Sequence, residues 1–511
     1  MKKILLLLLL LSGWALSPSG KLHAQKKNVL FIIVDDLNNE LGCYENHQVV
    51  SPHIDKLADQ GVLFKAAYCQ WPVCGPSRAS FLTGQTPDGT GIRNLKTHLR
   101  DVRPDIVTLP QYFQKNDYVT AAIGKVFDHR NVDKQNDSLS WSLPYKQWGS
   151  YVYPARYGPL YNQQWRIRPR TATECGPEGV GDDGYLDGQF CNDALGKLDG
   201  FAASGKPFFL AVGFKKPHIP FIAPRKYWQL YGEDTLSLAP FQRKATGAPA
   251  YAYFRPEPKH YVDIPKVWDY NDPQRGDSIL PLKYQRRLVH GYYACISYVD
   301  AQVGKLLQKL KETGLDKNTV VVLLGDNGYH LGDHNQWGKH TVFEWSAHDP
   351  LMIYAPGNKN GVYESPVGFV DLFPTICRLA GLKVPGDVQG VDLSGVLAGK
   401  REPVKPVAVT EYRAAGHATY SFRSKRYRYT LRFDKANMRP DAAAWDASRI
   451  VFEELYDYQK DPLEKKNLAY DKAYKAVRDQ MLNNAKAWWQ GQHHFFVSHA
   501  ISLISVKKRK K

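Results

Sequence analysis

Long apolar runs are scarce in this 511-residue chain. Beyond the first 25 residues no stretch reaches the ~20 apolar residues that a membrane-crossing helix needs, so a multi-span membrane protein is excluded. Cysteine and histidine nowhere adopt the paired spacing of a structural zinc module. No internal repeat or low-complexity tract appears away from the two ends, which removes solenoids and disordered scaffolds. Acidic residues are in deficit, 50 against 68 Lys and Arg, and the resulting formal charge of +18 favours anionic partners. Cysteines number seven, and an odd count leaves at least one outside any internal pairing.

The chain opens with "MKKILLLLLLLSGWALSPSGKLHAQ", a basic start, a leucine run and a small-residue exit near Ala24, which reads as a secretory signal peptide over residues 1–25. The run is short for a membrane anchor, and no cysteine follows it to carry a lipid. The expectation is a soluble periplasmic or secreted protein with no transmembrane segment after cleavage. Export permits disulfides, and Cys175 with Cys191 is the best-placed pair, Cys74 being the odd thiol. The terminal "VKKRKK" is a basic tail, and "RSKRYRYTLRF" alternates cations with aromatics as an exposed strand does. Charge alone would suit nucleic acid. In an exported protein a sulfated polysaccharide suits it better, and no nucleic-acid partner is expected.

"NVLFIIVDD" begins with a continuous β-branched, apolar run, the pattern of a strand buried on both faces. Similar runs recur in "YVTAAIGK", "KPFFLAVGFKKPH" and "NTVVVLLGDNG". Helical patterns lie between several of them, among them "LVHGYYACISYVDAQVGKLLQKLKETG", which stops at Gly314. This alternation predicts an α/β fold with a mainly parallel central sheet flanked by helices. The segment from Trp141 to Gly200, rich in Tyr, Trp, Gly and Arg, predicts long loops over the crevice. From about Arg401 the strands shorten and a helical tail follows from Lys472 to Trp489. The expected organisation is a main domain over 26–400 and a small α+β domain over 401–511 that carries the basic tail.

In a parallel sheet the ligand lies beyond the carboxyl ends of the strands. Four strand ends deliver Asp35 and Asp36, Lys125, His218, and Asp326 with Asn327. A single acidic residue after a strand is ordinarily a cap or turn former. Six such groups on one crevice instead make a site. Asp35, Asp36, Asp326 and Asn327 offer hard oxygens suited to Ca²⁺ or Mg²⁺. Lys125, Lys339, Arg78, His129 and His218 add cations and proton donors, which suits transfer of a phosphoryl or sulfuryl group. In "YCQWPVCGPSRASFLTG" the residues themselves leave Cys74 open to four roles: disulfide, metal ligand, thiol nucleophile or processed residue.

"CGPSR" followed by "ASFLTG" resembles the signature of the type I sulfatases, in which the cysteine of a Cys-x-Pro-Ser-Arg motif is oxidised to formylglycine. "NVLFIIVDDL", "GDNGYHLGDH", "HDPLMIYAPG", "VDLFPTI" and "ELYDYQKDPLEKKNL" are similar to that family elsewhere along the chain. "GKVF", "KPHIPF" and "GDHNQWGKHTVFEWSAHDPL" resemble its iduronate-2-sulfatase branch most. The resemblance implies an alkaline-phosphatase-like fold whose smaller C-terminal domain contains an antiparallel sheet. It implies one Ca²⁺ held by Asp35, Asp36, Asp326, Asn327 and the modified Cys74. Arg78 and Lys125 would stabilise the formylglycine, and Lys125, Lys339 and His218 would bind the sulfate and assist the leaving group. His129 would help eliminate sulfate.

The implied partners are a formylglycine-generating maturase and a sulfated saccharide, with a terminal uronate 2-O-sulfate of a glycosaminoglycan as the candidate. Two departures stand out. Asp128 intervenes between "GKVF" and His129, where that branch has histidine directly, and Asp326-Asn327 follows most sulfatases rather than that branch. The competing readings are a phosphatase or phosphodiesterase of the same superfold, expected to carry Thr or Ser in place of Cys74, and a non-catalytic polyanion binder. For the binder the strand-end cluster would be superfluous. Cys69 reads as a packed thiol.

Overall fold

The computed structural model describes residues 26–147, 151, 171–254, 257–265, 279–414, 416–435, 438–441 and 443–509. The expected signal peptide and the end of the basic tail lie outside the described residues. Eight strands form the central sheet: β1 (Asn28–Val34), β2 (Val62–Phe64), β3 (Val119–Gly124), β4 (Lys146–Gln147), β5 (Phe208–Phe214), β6 (Thr319–Gly325), β7 (Leu351–Tyr354) and β8 (Gly361–Tyr363). Their order is β8-β2-β7-β6-β1-β5-β3-β4. All pairings are parallel except those of β7 with β6 and β2.

The sheet is buried on both faces because its strands are apolar at every position. In β1, Leu30, Ile32 and Val34 enter one core while Val29, Phe31 and Ile33 enter the other, as the period of two requires. The first core is closed by α3 (Leu186–Ser204) and the 31-residue α4 (Leu282–Glu312), and α1 (Pro52–Gln60) joins it through Ile54, Leu57 and Ala58. The second is closed by α2 (Cys74–Thr83) and α5 (Leu372–Leu379). As its apolar spacing predicts, α4 ends just before Gly314, whose φ of 70° a glycine adopts at little cost.

Register sets the level at which the polar residues leave the sheet. Val34 stands opposite both Phe214 and Gly325, and Gly124 stands opposite Gly213. Asp35, Lys125 and Asp326 therefore emerge side by side from β1, β3 and β6. The approach of β3 to β5 is close: a Cβ on Gly213 would lie 1.9 Å from the Lys125 carbonyl oxygen.

Four antiparallel strands follow in the order β9 (Ala408–Ala414), β10 (His417–Arg423), β11 (Tyr427–Phe433) and β12 (Ile450–Asp457). They share a third core with Met481, Ala485 and Trp489 of α6 (Lys475–Arg509). This sheet corrects one expectation. The cationic-aromatic stretch from Arg423 to Phe433 is not an exposed strand but a buried hairpin, with Arg428 paired to Glu464 and Arg432 to Glu454. Those cations are neutralised by partners across the fold and do not form an anion-binding surface.

Two further expectations change. Residues 186–200, placed in loops by their weak periodicity, belong to α3, whose buried Leu186, Phe190, Cys191, Ala194 and Leu198 recur at helical spacing. The rest of that segment falls partly outside the described residues. The Cys175–Cys191 bridge is absent; all seven cysteines are free thiols. Cys191 faces inward from α3 onto the Gln302 carbonyl at 3.5 Å, while Cys175 lies on the carbonyl of Gly176. With no bridges formed, Cys74 is not distinguished by being left unpaired.

Gly213→Ala tests the strand register as the source of the site. Overpacking of this kind costs about 1–3 kcal/mol, and the substitution is expected to lower the unfolding free energy by that amount, and the midpoint with it, while displacing Lys125. An unchanged midpoint in chemical denaturation contradicts the close approach.

Candidate active site

Cys74 is the first residue of α2, and Arg78 follows one turn later on the same helical face. The Cys-x-Pro-Ser-Arg spacing thus aims a thiol and a guanidinium at one point. Pro76 is accommodated because the first turn of a helix has no intrahelical use for its amide hydrogen. Ser77 Oγ donates to the Asp326 carbonyl at 2.5 Å, tying the helix start to the end of β6.

Around this point the strand ends assemble a fully buried charge cluster. Arg78 Nε donates to Asp326 Oδ2 at 2.7 Å and Nη2 to Asp35 Oδ1 at 3.1 Å, while Nη1 donates to the carbonyls of Lys125 and Val126. Lys125 Nζ spans both oxygens of Asp35 at 2.8 and 2.6 Å. Lys339 Nζ lies 2.5 Å from Asp36 Oδ1 and 3.3 Å from Cys74 Sγ. Asp36, at φ 60°, turns back so that its amide donates to Asp326 Oδ1 at 2.9 Å.

Burial works against every charge in this cluster, and the partners decide which survive. Burial raises the Asp35 carboxyl, but Lys125, His218, Arg78 and Lys339 overcome it and hold the group well below the usual carboxylate range. Asp36 has the weaker compensation: burial, opposed by Lys339 and reinforced by Asp35 and Asp326, raises it to about 7. Asp326 is also raised by burial, against Arg78. The Cys74 thiol is pushed well up, chiefly by burial and by Asp35, so as a thiol it stays protonated and a poor nucleophile.

Two oxygens in this cluster are buried without a hydrogen-bond partner: Asp36 Oδ2 and Asn327 Oδ1. Asn327 spends its amide group on Asp36 Oδ1, at 2.8 Å, and on the Gly328 carbonyl, at 3.0 Å, which leaves its own carbonyl oxygen unused beside Asp36. Carboxylate oxygens of Asp35, Asp36 and Asp326 lie within 4.8 Å of one another, as do ligand atoms of Asp35, Cys74 and His218. Hard, orphaned oxygens beside crowded carboxylates fit a divalent cation of the Ca²⁺ or Mg²⁺ type.

Above the cluster opens a cavity of about 480 Å³, lined by Cys74, Lys125, His129, His218, Glu257 and Lys339. A groove of about 1010 Å³ runs along α1 and α4, but it brings no comparable cluster to its walls. Chemistry, not size, marks the smaller cavity. His218 Nδ1 faces the Ile219 carbonyl at 2.6 Å, which fixes the proton there and leaves Nε2 toward Asp36 Oδ2 at 3.8 Å. Its imidazole is held well below the usual histidine range by burial and Lys339. Buried Lys216 braces this loop, donating to the carbonyls of His218, at 3.0 Å, and Pro220.

Every residue that the sequence placed in the site therefore meets here, His129 included. The inserted Asp128 turns into the protein and His129 reaches the cavity wall. Sequence reasoning missed Glu257, His340, Phe254 and Arg130. Glu257 follows no strand and carries no motif. Its half-buried carboxyl is held down to about 2, against the cost of burial, by Lys339 and His340. Arg130 alone left a signal, lying directly after His129.

The sulfatase family model matches residues 27–382 of the chain, about seven-tenths of its length. The chain belongs to the sulfatase family. The sulfatase also matches the family described as N-sulphoglucosamine sulphohydrolase, C-terminal, over 332–489. It is 36% identical over 392 residues to iduronate 2-sulfatase of Homo sapiens, covering 70% of each chain. Choline-sulfatase of Rhizobium meliloti is 30% identical over 474 residues, covering 87% of this chain and 82% of its own. In fold, phosphonate monoester hydrolase of Agrobacterium radiobacter superposes with a TM-score of 0.71 at 21% identity, over 91% of this chain and 96% of that one. The architecture is alkaline-phosphatase-like.

A cation bound at the orphaned oxygens stabilises the folded state by about 2.7 kcal/mol at 100 times its dissociation constant. Thermal unfolding with added Ca²⁺ or Mg²⁺ is expected to show a rise that Asp36→Asn removes. Identical midpoints with either cation and with chelator contradict the metal site.

Proposed function

We propose that this sulfatase hydrolyses a sulfate ester of a carbohydrate, with Cys74, converted to formylglycine, as the attacking residue. The observation that carries the proposal is the position of Cys74. Its sulfur is buried against the cavity, 3.3 Å from Lys339 Nζ and 3.8 Å from Asp36 Oδ1, and so stands between an ammonium and a carboxylate of the charge cluster. An unmodified thiol there is protonated and would give a sulfur-bound intermediate with no ready exit. A hydrated aldehyde supplies one hydroxyl to attack sulfur and a second whose collapse to the carbonyl releases inorganic sulfate.

The geometry supports the remaining roles. Asp35, Asp36, Asp326, Asn327 and the modified Cys74 would hold Ca²⁺, which when bound supplies positive charge to the sulfate oxygens. Arg78 fixes the nucleophile's helix against Asp35 and Asp326. Lys125 and Lys339, which line the cavity together with Cys74, bring ammonium groups that oppose the charge accumulating on the transferring sulfuryl group. His218 presents Nε2 into the cavity, and an anionic sulfate beside it favours its protonated form. His218 and Lys339 are the two groups placed to give a proton to the leaving sugar oxygen. His129, on the cavity wall, is placed to help release sulfate.

The substrate we propose is a terminal uronate 2-O-sulfate. Its support is the identity shared with iduronate 2-sulfatase and a cavity wall of Lys125, His129 and Lys215 that suits a substrate with more than one negative charge. The leader-like pattern of residues 1–25 supports a reaction outside the cytoplasm, and a maturase would convert Cys74 beforehand.

Turnover of an aryl sulfate and of the matching aryl phosphate separates this reading from a phosphatase. Preference for the sulfate is expected, and loss of the nucleophile in Cys74→Ala is expected to lower kcat by about 10³-fold or more. Equal hydrolysis by Cys74→Ala, or preference for the phosphate, contradicts it.

A further inference from the structure

The inserted Asp128 has a purpose that the sulfate site does not use. Its side chain is fully buried, and both of its oxygens are committed to Arg130: Oδ1 to Nε at 2.8 Å and to the backbone amide at 3.1 Å, Oδ2 to Nη2 at 2.7 Å. A carboxylate that grips the edge of a guanidinium in this way fixes the plane of the whole group. The loop behind it is equally constrained. The Asn131 amide bonds the Asp128 carbonyl at 2.9 Å, its side-chain amide bonds the carbonyls of Asn94 and Thr97, and its carbonyl receives the Leu99 amide at 2.7 Å.

Arg130 is the exposed member of this assembly. Its side chain keeps 39% of its surface accessible and lines the same cavity as Cys74. Of the five N–H groups of a guanidinium, the edge facing Asp128 uses two, which leaves three for another partner. Asp128 also stands 3.9 Å from Lys125 Nζ, and Lys125 bonds Asp35 of the charge cluster. One short loop thereby joins the residues around the scissile sulfate to a second, preoriented cation on the wall. An ordinary surface arginine must lose rotamer freedom to bind; this one has lost it already.

We infer that Arg130, clamped by Asp128, is a specificity-determining residue that receives a second anionic group of the substrate, a carboxylate carried on the same sugar as the scissile sulfate. The inference rests on the sulfated-uronate reading above and extends it to two residues with no role there. Arg130 recognises the neighbouring anion and Asp128 is its positioning residue. It also accounts for the departure after "GKVF": the extra residue supplies the clamp and moves His129 on by one position without removing it from the cavity.

The test uses binding and not turnover, with the full chain carrying Cys74→Ala so that nothing is consumed. Calorimetry compares a methyl uronoside 2-O-sulfate with its carboxyl-reduced counterpart, which has the same sulfate and a neutral hydroxymethyl group. The uronoside is expected to bind about 10–100-fold more tightly, the range for a hydrogen-bonded charge pair. Arg130→Met is expected to abolish that ratio while leaving affinity for the neutral ligand unchanged. Arg130→Lys is expected to restore part of the ratio, since it returns the charge without the fork, and Asp128→Asn to reduce it. An unchanged ratio in Arg130→Met, an equal loss for both ligands, or binding of neither ligand overturns the inference. Aryl sulfate turnover by the protein with Cys74 intact reports separately on whether the chain is a sulfatase at all.

Discussion

Three carboxylates and three cations are buried together where β1, β3 and β6 end, and the rest of the site depends on how they compensate one another. Removing one partner from such a set strands a charge in a medium that cannot solvate it, at a cost of about 3–5 kcal/mol. The compensation is uneven by construction. Asp35 is saturated by Arg78 and Lys125, whereas Asp36 shares Lys339 with Cys74 and keeps one oxygen without a partner. That imbalance makes a place for a divalent cation beside the reactive residue. The same low dielectric that makes the cluster costly to bury strengthens every interaction it makes with a transferring anionic group.

The sheet is what allows this concentration of charge. Parallel strands of matched register end at one level, and strands buried on both faces leave the first residue beyond each end as the nearest place for a polar group. Gly124 and Gly213 let two of those strands approach closely enough for the Lys125 carbonyl to meet Arg78. Stability and function thus draw on the same residues: Arg78 is a structural keystone of the strand ends and, in the proposed mechanism, part of the site.

Much of this was legible in the sequence because it rests on local patterns. Continuous apolar runs named the strands, and the polar residues after those runs named the groups that meet in the buried charge cluster. The Cys-x-Pro-Ser-Arg motif singled out Cys74 and Arg78, which the structure then puts one helical turn apart. What escaped notice depends on contacts that no local pattern encodes. Glu257 reaches the cavity from an irregular segment, and its role follows only from facing Lys339 and His340. The alternation of cations and aromatics from Arg423 to Phe433 looked exposed because Arg428 and Arg432 are charged; their acidic partners Glu464 and Glu454 lie on other segments. The Cys175–Cys191 pairing looked plausible from proximity in sequence, yet α3 turns Cys191 into the core. Asp128 read as a disturbance of a motif, and in three dimensions it is a clamp.

The central claim is that the buried, protonated thiol of Cys74 is a precursor, and that the charge cluster serves the aldehyde made from it. Mass spectrometry of the peptide spanning Cys74, from active protein produced together with a formylglycine-generating maturase, tests this most directly. The account predicts that the peptide carries an aldehyde in place of the thiol and that specific activity rises in proportion to the converted fraction. Full sulfatase activity in a preparation whose Cys74 remains entirely a thiol would contradict it.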